Sequence, residues 1–196
     1  IFKILLVLIA FAFVVIVLLY GHSDMSVEEL KETYANQSSS FIPVGGMDVH
    51  FRDVGPATDS LPLVLLHGTS SSLHTFDALS ADLARTQRVI RLDLPGFGLT
   101  GPFPDRDYSI GHYTEFLAAF LRENKIDTCI LAGNSLGGEI AWAFTCAYPD
   151  QVEKLILLDA AGYPRLAEST PIAFTVARTP VVNKLMTYIT PRSMVR

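Results

Sequence analysis

Residues 130–138 read Ile-Leu-Ala-Gly-Asn-Ser-Leu-Gly-Gly, and the fold turns on how this stretch is read. An apolar run passes directly into Gly133-Asn134-Ser135-Leu136-Gly137, and a helical pattern follows at once. A strand, a sharp turn and a helix, in that order, are the context in which a G-x-S-x-G pentapeptide forms a nucleophile elbow. The turn is tight enough to hold the serine in a strained backbone conformation. A Cβ two residues to either side would crowd it, which is the physical reason for Gly133 and Gly137. The strain lifts the Ser135 hydroxyl above the carboxyl end of the sheet. It also aims the N–H of Leu136, at the start of the helix, at the place where an oxyanion would form. The competing interpretation is a glycine-rich strand–helix turn with an incidental serine. The flanking strand and the additional Gly138 favour the nucleophile.

Outward from the elbow, the pattern alternates. Leu61–Leu66 and Arg88–Leu94 are short continuous apolar runs of the kind found in strands covered on both faces. Thr128–Ala132 and Val152–Leu158 are two more strands. Helical spacing is expected over residues 72–84, through Leu73, Phe76, Leu79 and Leu83. It is also expected over 109–124, through Ile110, Tyr113, Phe116, Leu117 and Phe120, and over Ser135–Ala147. Strand and helix therefore alternate from residue 61 to 159, which argues an α/β fold with a mostly parallel, doubly wound sheet. Ser39–Val44, a Gly45-Gly46 turn and Asp48–Val54 read as an antiparallel hairpin at one edge. After Gly162 the pattern changes, and Pro164, Pro171, Pro180 and Pro191 punctuate short apolar segments that read as the beginning of a helical excursion over the sheet.

Ligands of open parallel sheets bind beyond the carboxyl ends of the strands. One such end is His67-Gly68-Thr69-Ser70-Ser71-Ser72, whose backbone offers a second oxyanion donor beside Leu136, with Thr69 the expected residue. His67 is expected to brace this loop by hydrogen bonding rather than to act as a base. A second end is Asp93-Leu94-Pro95-Gly96-Phe97-Gly98, a tight loop in which Asp93 is expected to cap backbone N–H groups. His74 lies near a helix start, and His112 is expected to be exposed.

His67-Gly68, the Asp93-Leu-Pro-Gly-Phe-Gly loop and Gly133-Asn134-Ser135-Leu136-Gly137-Gly138, in this order and spacing, resemble the α/β-hydrolase fold superfamily over roughly residues 40–165. The Gly-Asn-Ser-x-Gly-Gly form and Leu158-Asp159-Ala160-Ala161-Gly162-Tyr163-Pro164 resemble lipase/esterase-like members and the carbon–carbon bond hydrolases. The resemblance implies a helical cap after Gly162. It also implies a Ser–acid–His triad in that chain order, with Ser135 as nucleophile. The histidine maps onto nothing: His22, His50, His67, His74 and His112 all precede Ser135. Asp159 is a minor candidate for the acid, with a loop-capping or cap-hinge role as the alternative. The chain begins with Ile and stops at Pro-Arg-Ser-Met-Val-Arg. It is therefore expected to be an N-terminal fragment, inactive alone, of an active membrane-anchored serine hydrolase. The alternatives are a carbon–carbon bond hydrolase and a non-catalytic binding or scaffold protein on the same fold. Dehalogenase or epoxide-hydrolase chemistry is disfavoured, because those members carry a carboxylate where Ser135 stands.

In the first 20 residues, IFKILLVLIAFAFVVIVLLY, only Lys3 is not apolar. A helix of that length rises about 30 Å, the thickness of a bilayer core. No small-x-small cleavage site follows at Gly21-His22-Ser23-Asp24, so an uncleaved transmembrane anchor is expected rather than a signal peptide. Tyr20 suits the interfacial belt, and Lys3 before the span puts the remainder on the non-cytoplasmic side. Residues 25–37 read as a juxtamembrane spacer or short polar helix, with Ser26 and Glu29 spaced as a capping box. The domain boundaries are then 1–20 for the anchor, 21–38 for the linker, 39–162 for the hydrolase core and 163–196 for the start of the cap. The net charge of −5, without any basic cluster, argues against a nucleic-acid partner. The expected partners are the membrane and a small acyl substrate. The Ile172-Ala173-Phe174 and Val181-Val182 segments suit an apolar pocket or the cap's own core. No metal or organic cofactor is implied. Cys129 and Cys146, inside a strand and a helix, read as buried apolar residues rather than a disulfide pair.

Overall fold

The computed structural model describes residues 2–20, 25–163 and 179. The cap segment from Pro164 onward, apart from Thr179, and the Gly21–Asp24 junction with His22 lie outside the described residues. The chain divides into two compact units, one formed by Ser26–Tyr163 and the other by Ile1–Met25 with Pro164–Arg196. Of the latter, the described residues are α1 (Phe2–Tyr20), Met25 and Thr179, and the helix exposes Ile4, Leu5, Val7, Leu8, Ile9 and Phe11. At about 1.5 Å per residue it falls just short of a bilayer core of about 30 Å. Among the described residues no helix is long and apolar enough to cross a membrane. The segment expected to cross the membrane is thus observed as an apolar helix.

The larger unit opens with α2 (Val27–Tyr34), whose capping box has Ser26 Oγ accepting from Glu29 N and the Glu29 carboxylate accepting from Ser26 N. A single six-stranded sheet follows, made of β1 (Ser39–Val44), β2 (Met47–Val54), β3 (Leu63–Leu66), β4 (Val89–Leu92), β5 (Cys129–Asn134) and β6 (Val152–Leu158). The spatial order is β1-β2-β4-β3-β5-β6. β1 and β2 form the expected antiparallel hairpin. Its two-residue turn needs positive φ at both positions, and Gly45 and Gly46 supply 57° and 80°. β2 joins β4 antiparallel, and β4, β3, β5 and β6 are mutually parallel.

Alternation along the strands sends side chains to two cores. Val64, Leu66, Ile90, Leu92 and Leu131 pack with α4 (Ile110–Glu123) and α5 (Leu136–Ala147) on one face. Leu63, Leu65, Val89 and Ala132 pack with Phe76 and Leu83 on the other. Helices on both faces are thus observed. On the second face, Arg52 and Arg91 are cross-strand partners, both buried, and share the carboxylate of Asp77.

Several local expectations are corrected. Residues 72–84 are not one helix but a 3-10 turn, Leu73–Phe76, followed by α3 (Asp77–Leu83). Side chains from below take both backbone groups of Leu73: Asp93 Oδ1 accepts its N–H at 2.7 Å and Arg91 donates to its carbonyl at 3.4 Å. The strand expected over Arg88–Leu94 is pared to Val89–Leu92, because Arg88 N–H goes to Asp59 and Leu94 N–H to His67 Nε2. Cys129 is buried as expected, but Cys146 is exposed, on the solvent side of α5, and both are free. His112 is half-buried rather than exposed, since Phe103 meets it edge-on at 4.4 Å.

Candidate active site

β5 runs into Ser135, and α5 starts at the next residue. Ser135 has φ 52° and ψ −115°, a conformation that costs a non-glycine residue on the order of 1–3 kcal/mol. The surroundings over-determine it. Ser135 N donates to Leu158 O at 3.1 Å, and Ser135 O accepts from Glu139 N and Ala161 N, each at 3.0 Å. A Cβ on Gly133 would run into the carbonyl of Gly137, and one on Gly137 into the carbonyls of Leu66 and His67. The strand, the helix start and the end of β3 are therefore in backbone contact at this point, as the two glycines of the motif require. The hydroxyl of the half-buried Ser135 has no hydrogen-bond partner among the described residues.

The loop after β3 lies alongside. A Cβ built on Gly68 would sit 3.1 Å from Ser135 Cβ and 3.1 Å from Asn134 Oδ1. Asn134 in turn donates through Nδ2 to Leu158 O at 3.1 Å, at the end of β6. Leu136, first in its helix, has an N–H that no intrahelical carbonyl can reach. Neither that N–H nor the N–H of Thr69 has an acceptor among the described residues. Free N–H groups at a helix start carry the positive end of the helix dipole. The expected pair of donors thus belongs to the two segments that flank Ser135.

The neighbouring strand end is saturated. Asp93, 1% exposed, accepts from Leu73 N (2.7 Å) through Oδ1, and from Leu99 N (2.9 Å) and His50 Nδ1 (2.8 Å) through Oδ2. Desolvation opposes ionisation, but the His50 bond and the backbone donors outweigh it and hold the carboxyl below its ordinary value. The expected cap is therefore observed, and it fastens two loops rather than one. His67 also takes its expected bracing role. Leu94 N donates to its Nε2 at 3.0 Å, so Nδ1 must carry the proton that bonds Gly68 O at 2.8 Å. Burial holds its pKa below the ordinary histidine value. His67 is thus a neutral clip between the two loops, with Phe97 edge-on against its ring at 5.5 Å.

Sequence reasoning missed His50, whose Nε2 also meets Ser39 Oγ at 2.8 Å. In the sequence it is one polar residue in an alternating strand, and nothing signals that it faces inward. It missed Asn134 as well, although its place next to the serine was the available signal.

Among the described residues no proton-transfer partner meets Ser135. His50, His67 and His74 are engaged with Asp93, Gly68 and Asp77, and His112 lies near Asp105 and Asp107. None of them contacts Ser135 among the described residues. Asp159 follows β6 with φ 47° and is exposed, without a histidine partner among the described residues. Among the described residues no group of three or more His, Cys, Asp or Glu side chains is placed to hold a metal ion.

Comparison with known proteins matches residues 62–181 to the family model described as alpha/beta hydrolase fold. A 2-hydroxy-6-oxo-2,4-heptadienoate hydrolase of Pseudomonas putida is 32% identical over 121 residues, covering 60% of this chain and 43% of its own. Among solved structures, a putative lipase of Acinetobacter baumannii superimposes with a TM-score of 0.64 at 29% identity, covering 83% of this chain and 54% of the other. A bacterial membrane phospholipase A does so with a TM-score of 0.65 at 27% identity, covering 94% and 61%. The chain therefore spans about half the length of the proteins it matches. The sheet order, the strained serine between its glycines and the family match over residues 62–181 identify the chain as a member of the α/β-hydrolase fold family.

Proposed function

We propose that the protein to which this chain belongs is a serine hydrolase of acyl substrates. Ser135 Oγ attacks the acyl carbon and forms an ester to it. The N–H groups of Thr69 and Leu136 hold the oxygen that becomes negative, and the leaving group departs with a proton. Water then cleaves the acyl-enzyme and regenerates the hydroxyl. The observation that carries this reading is the strained, unpartnered Ser135 with the Gly68 backbone against it. A serine alcohol is a poor nucleophile without a base, and the described residues offer none. In this reading the base comes from the rest of a protein whose relatives are about twice as long. Asp159 remains a minor candidate for the acid.

The exposed apolar helix α1 serves as a membrane anchor. Its small shortfall in length is within what local bilayer thinning accommodates. The hydrolase unit then lies on the non-cytoplasmic side, and the substrate is an apolar acyl compound. The test is labelling of the whole protein with a fluorophosphonate. Wild type reacts and Ser135→Ala does not. A wild type that folds and stays unlabelled removes the reading. The Pseudomonas putida relative favours a second reading, in which the same serine cleaves a carbon–carbon bond. A panel of aryl esters against dienoates separates the two.

A further inference from the structure

The end of β6 does not run regularly past the elbow. In a parallel ladder the residues on either side of one partner bond to its N–H and C=O. Ser135 instead donates to Leu158 and accepts from Ala161, one residue further along than a regular ladder allows. The extra residue makes a bulged turn just past the end of β6, around Asp159, which takes the left-handed conformation at φ 47°. α5 lies against the bulge. A Cβ on Gly138 would approach Ala160 Cβ to 2.6 Å. One on Gly162, at φ 87°, would meet Glu139 Oε1 and Trp142 Cζ2, each at 2.8 Å. Across this contact the indole N–H of the half-buried Trp142 donates to Ala161 O at 3.1 Å. Both backbone polar groups of Ala161 are thus engaged, the N–H by the Ser135 carbonyl and the carbonyl by Trp142.

We propose that Trp142 is a positioning residue for Ser135. Its N–H fixes the bulge, and through Ala161 it fixes the carbonyl of the strained serine, so the hydroxyl keeps its direction. An indole suits the task because it is rigid and carries one donor and no acceptor. A phenyl ring fills much of the same space and leaves Ala161 O unpaired. Without that bond the bulge can move, Ala161 N–H can leave the serine carbonyl, and the φ of Ser135 can relax. The inference rests on the hydrolase reading for its kinetic consequence but not for its geometry.

The experiment compares Trp142→Phe with wild type in the whole protein, by saturable fluorophosphonate labelling and by hydrogen exchange at the Ala161 amide. The expected result is a rate at saturating reagent about tenfold lower, with an unchanged half-saturating concentration and faster exchange at Ala161. Gly162→Ala, which pushes a Cβ against Trp142 and Glu139, reproduces the loss and serves if Trp142→Phe does not fold. An unchanged saturating rate in a variant that is merely less stable overturns the proposal. If wild type itself does not label, the serine chemistry fails separately, and exchange decides the joint: an Ala161 amide equally protected in both proteins overturns it.

Discussion

At the end of β4 the carboxylate of Asp93 holds His50 and the backbone N–H groups of Leu73 and Leu99. At the end of β5 the Ser135 hydroxyl holds nothing among the described residues, on a backbone that is itself strained. Both lie at carboxyl ends of strands in one sheet, where ligands of such folds bind. The difference separates structure from chemistry. A buried polar group with its bonding capacity filled contributes stability and has nothing left for a substrate. An unpartnered hydroxyl on strained backbone is held in place by its neighbours and keeps its bonding capacity unused. Substitutions at the first end should move stability, and those around the second should move rate.

The largest effect is expected from Asp93→Ala. It leaves His50 Nδ1 and the buried N–H groups of Leu73 and Leu99 without their acceptor at once, with an expected loss of about 3–5 kcal/mol of unfolding free energy, read as a lower urea or thermal midpoint. The molecules that remain folded should still label at Ser135. An unchanged midpoint would contradict the structural role, and a midpoint loss with labelling abolished in the folded fraction would erase the contrast.

Next comes the loop beside the serine. Thr69→Pro removes one backbone N–H, and a lost oxyanion donor lowers the chemical rate by about 10²–10³. Thr69→Ala keeps that N–H and should label as wild type does, because no role is assigned to the exposed side chain. If both variants slow alike, the hydroxyl rather than the amide matters and the donor assignment is wrong. If neither slows, the second donor lies elsewhere in the loop.

The contrast also explains what the sequence made legible. Gly133, Gly137 and Ser135 are visible because a tight turn with backbone contacts on both sides admits only glycine at its flanks. The Gly45-Gly46 hairpin and the Ser26–Glu29 capping box were legible for the same reason: short-range geometry dictates the residue type. His50, Trp142 and the Arg52–Arg91–Asp77 group were not. Each acquires its meaning from a partner 14 to 43 residues away or from a neighbouring strand, and a lone polar residue in an alternating pattern carries no mark of that partner. The single helix expected over 72–84 failed likewise, since apolar spacing is blind to Asp93 and Arg91 drawing Leu73 out of register.

The smallest effect sharpens the contrast from the side of pH. His67 is neutral in the fold, and burial keeps its pKa below the 6.5 of the free side chain. As pH falls past about 6.5 the unfolded chain takes up a proton that the folded chain refuses. Stability contributed by this group is therefore complete above that value and declines below it, by at most about 1.4 kcal/mol per pH unit, until the folded pKa is reached. Asp93 and Asp77, held below the ordinary 3.8, lose their contribution only at lower pH, so the two windows do not overlap near pH 5–6. His67→Asn offers one amide donor for Gly68 O and one acceptor for Leu94 N–H, with no proton to gain. Its melting temperature should fall less than that of wild type between pH 7 and pH 5, whatever offset the substitution introduces. Parallel curves would mean that His67 is protonated in the fold. Nε2 could not then accept from Leu94, and the saturated character assigned to this strand end would be lost at its link to the serine.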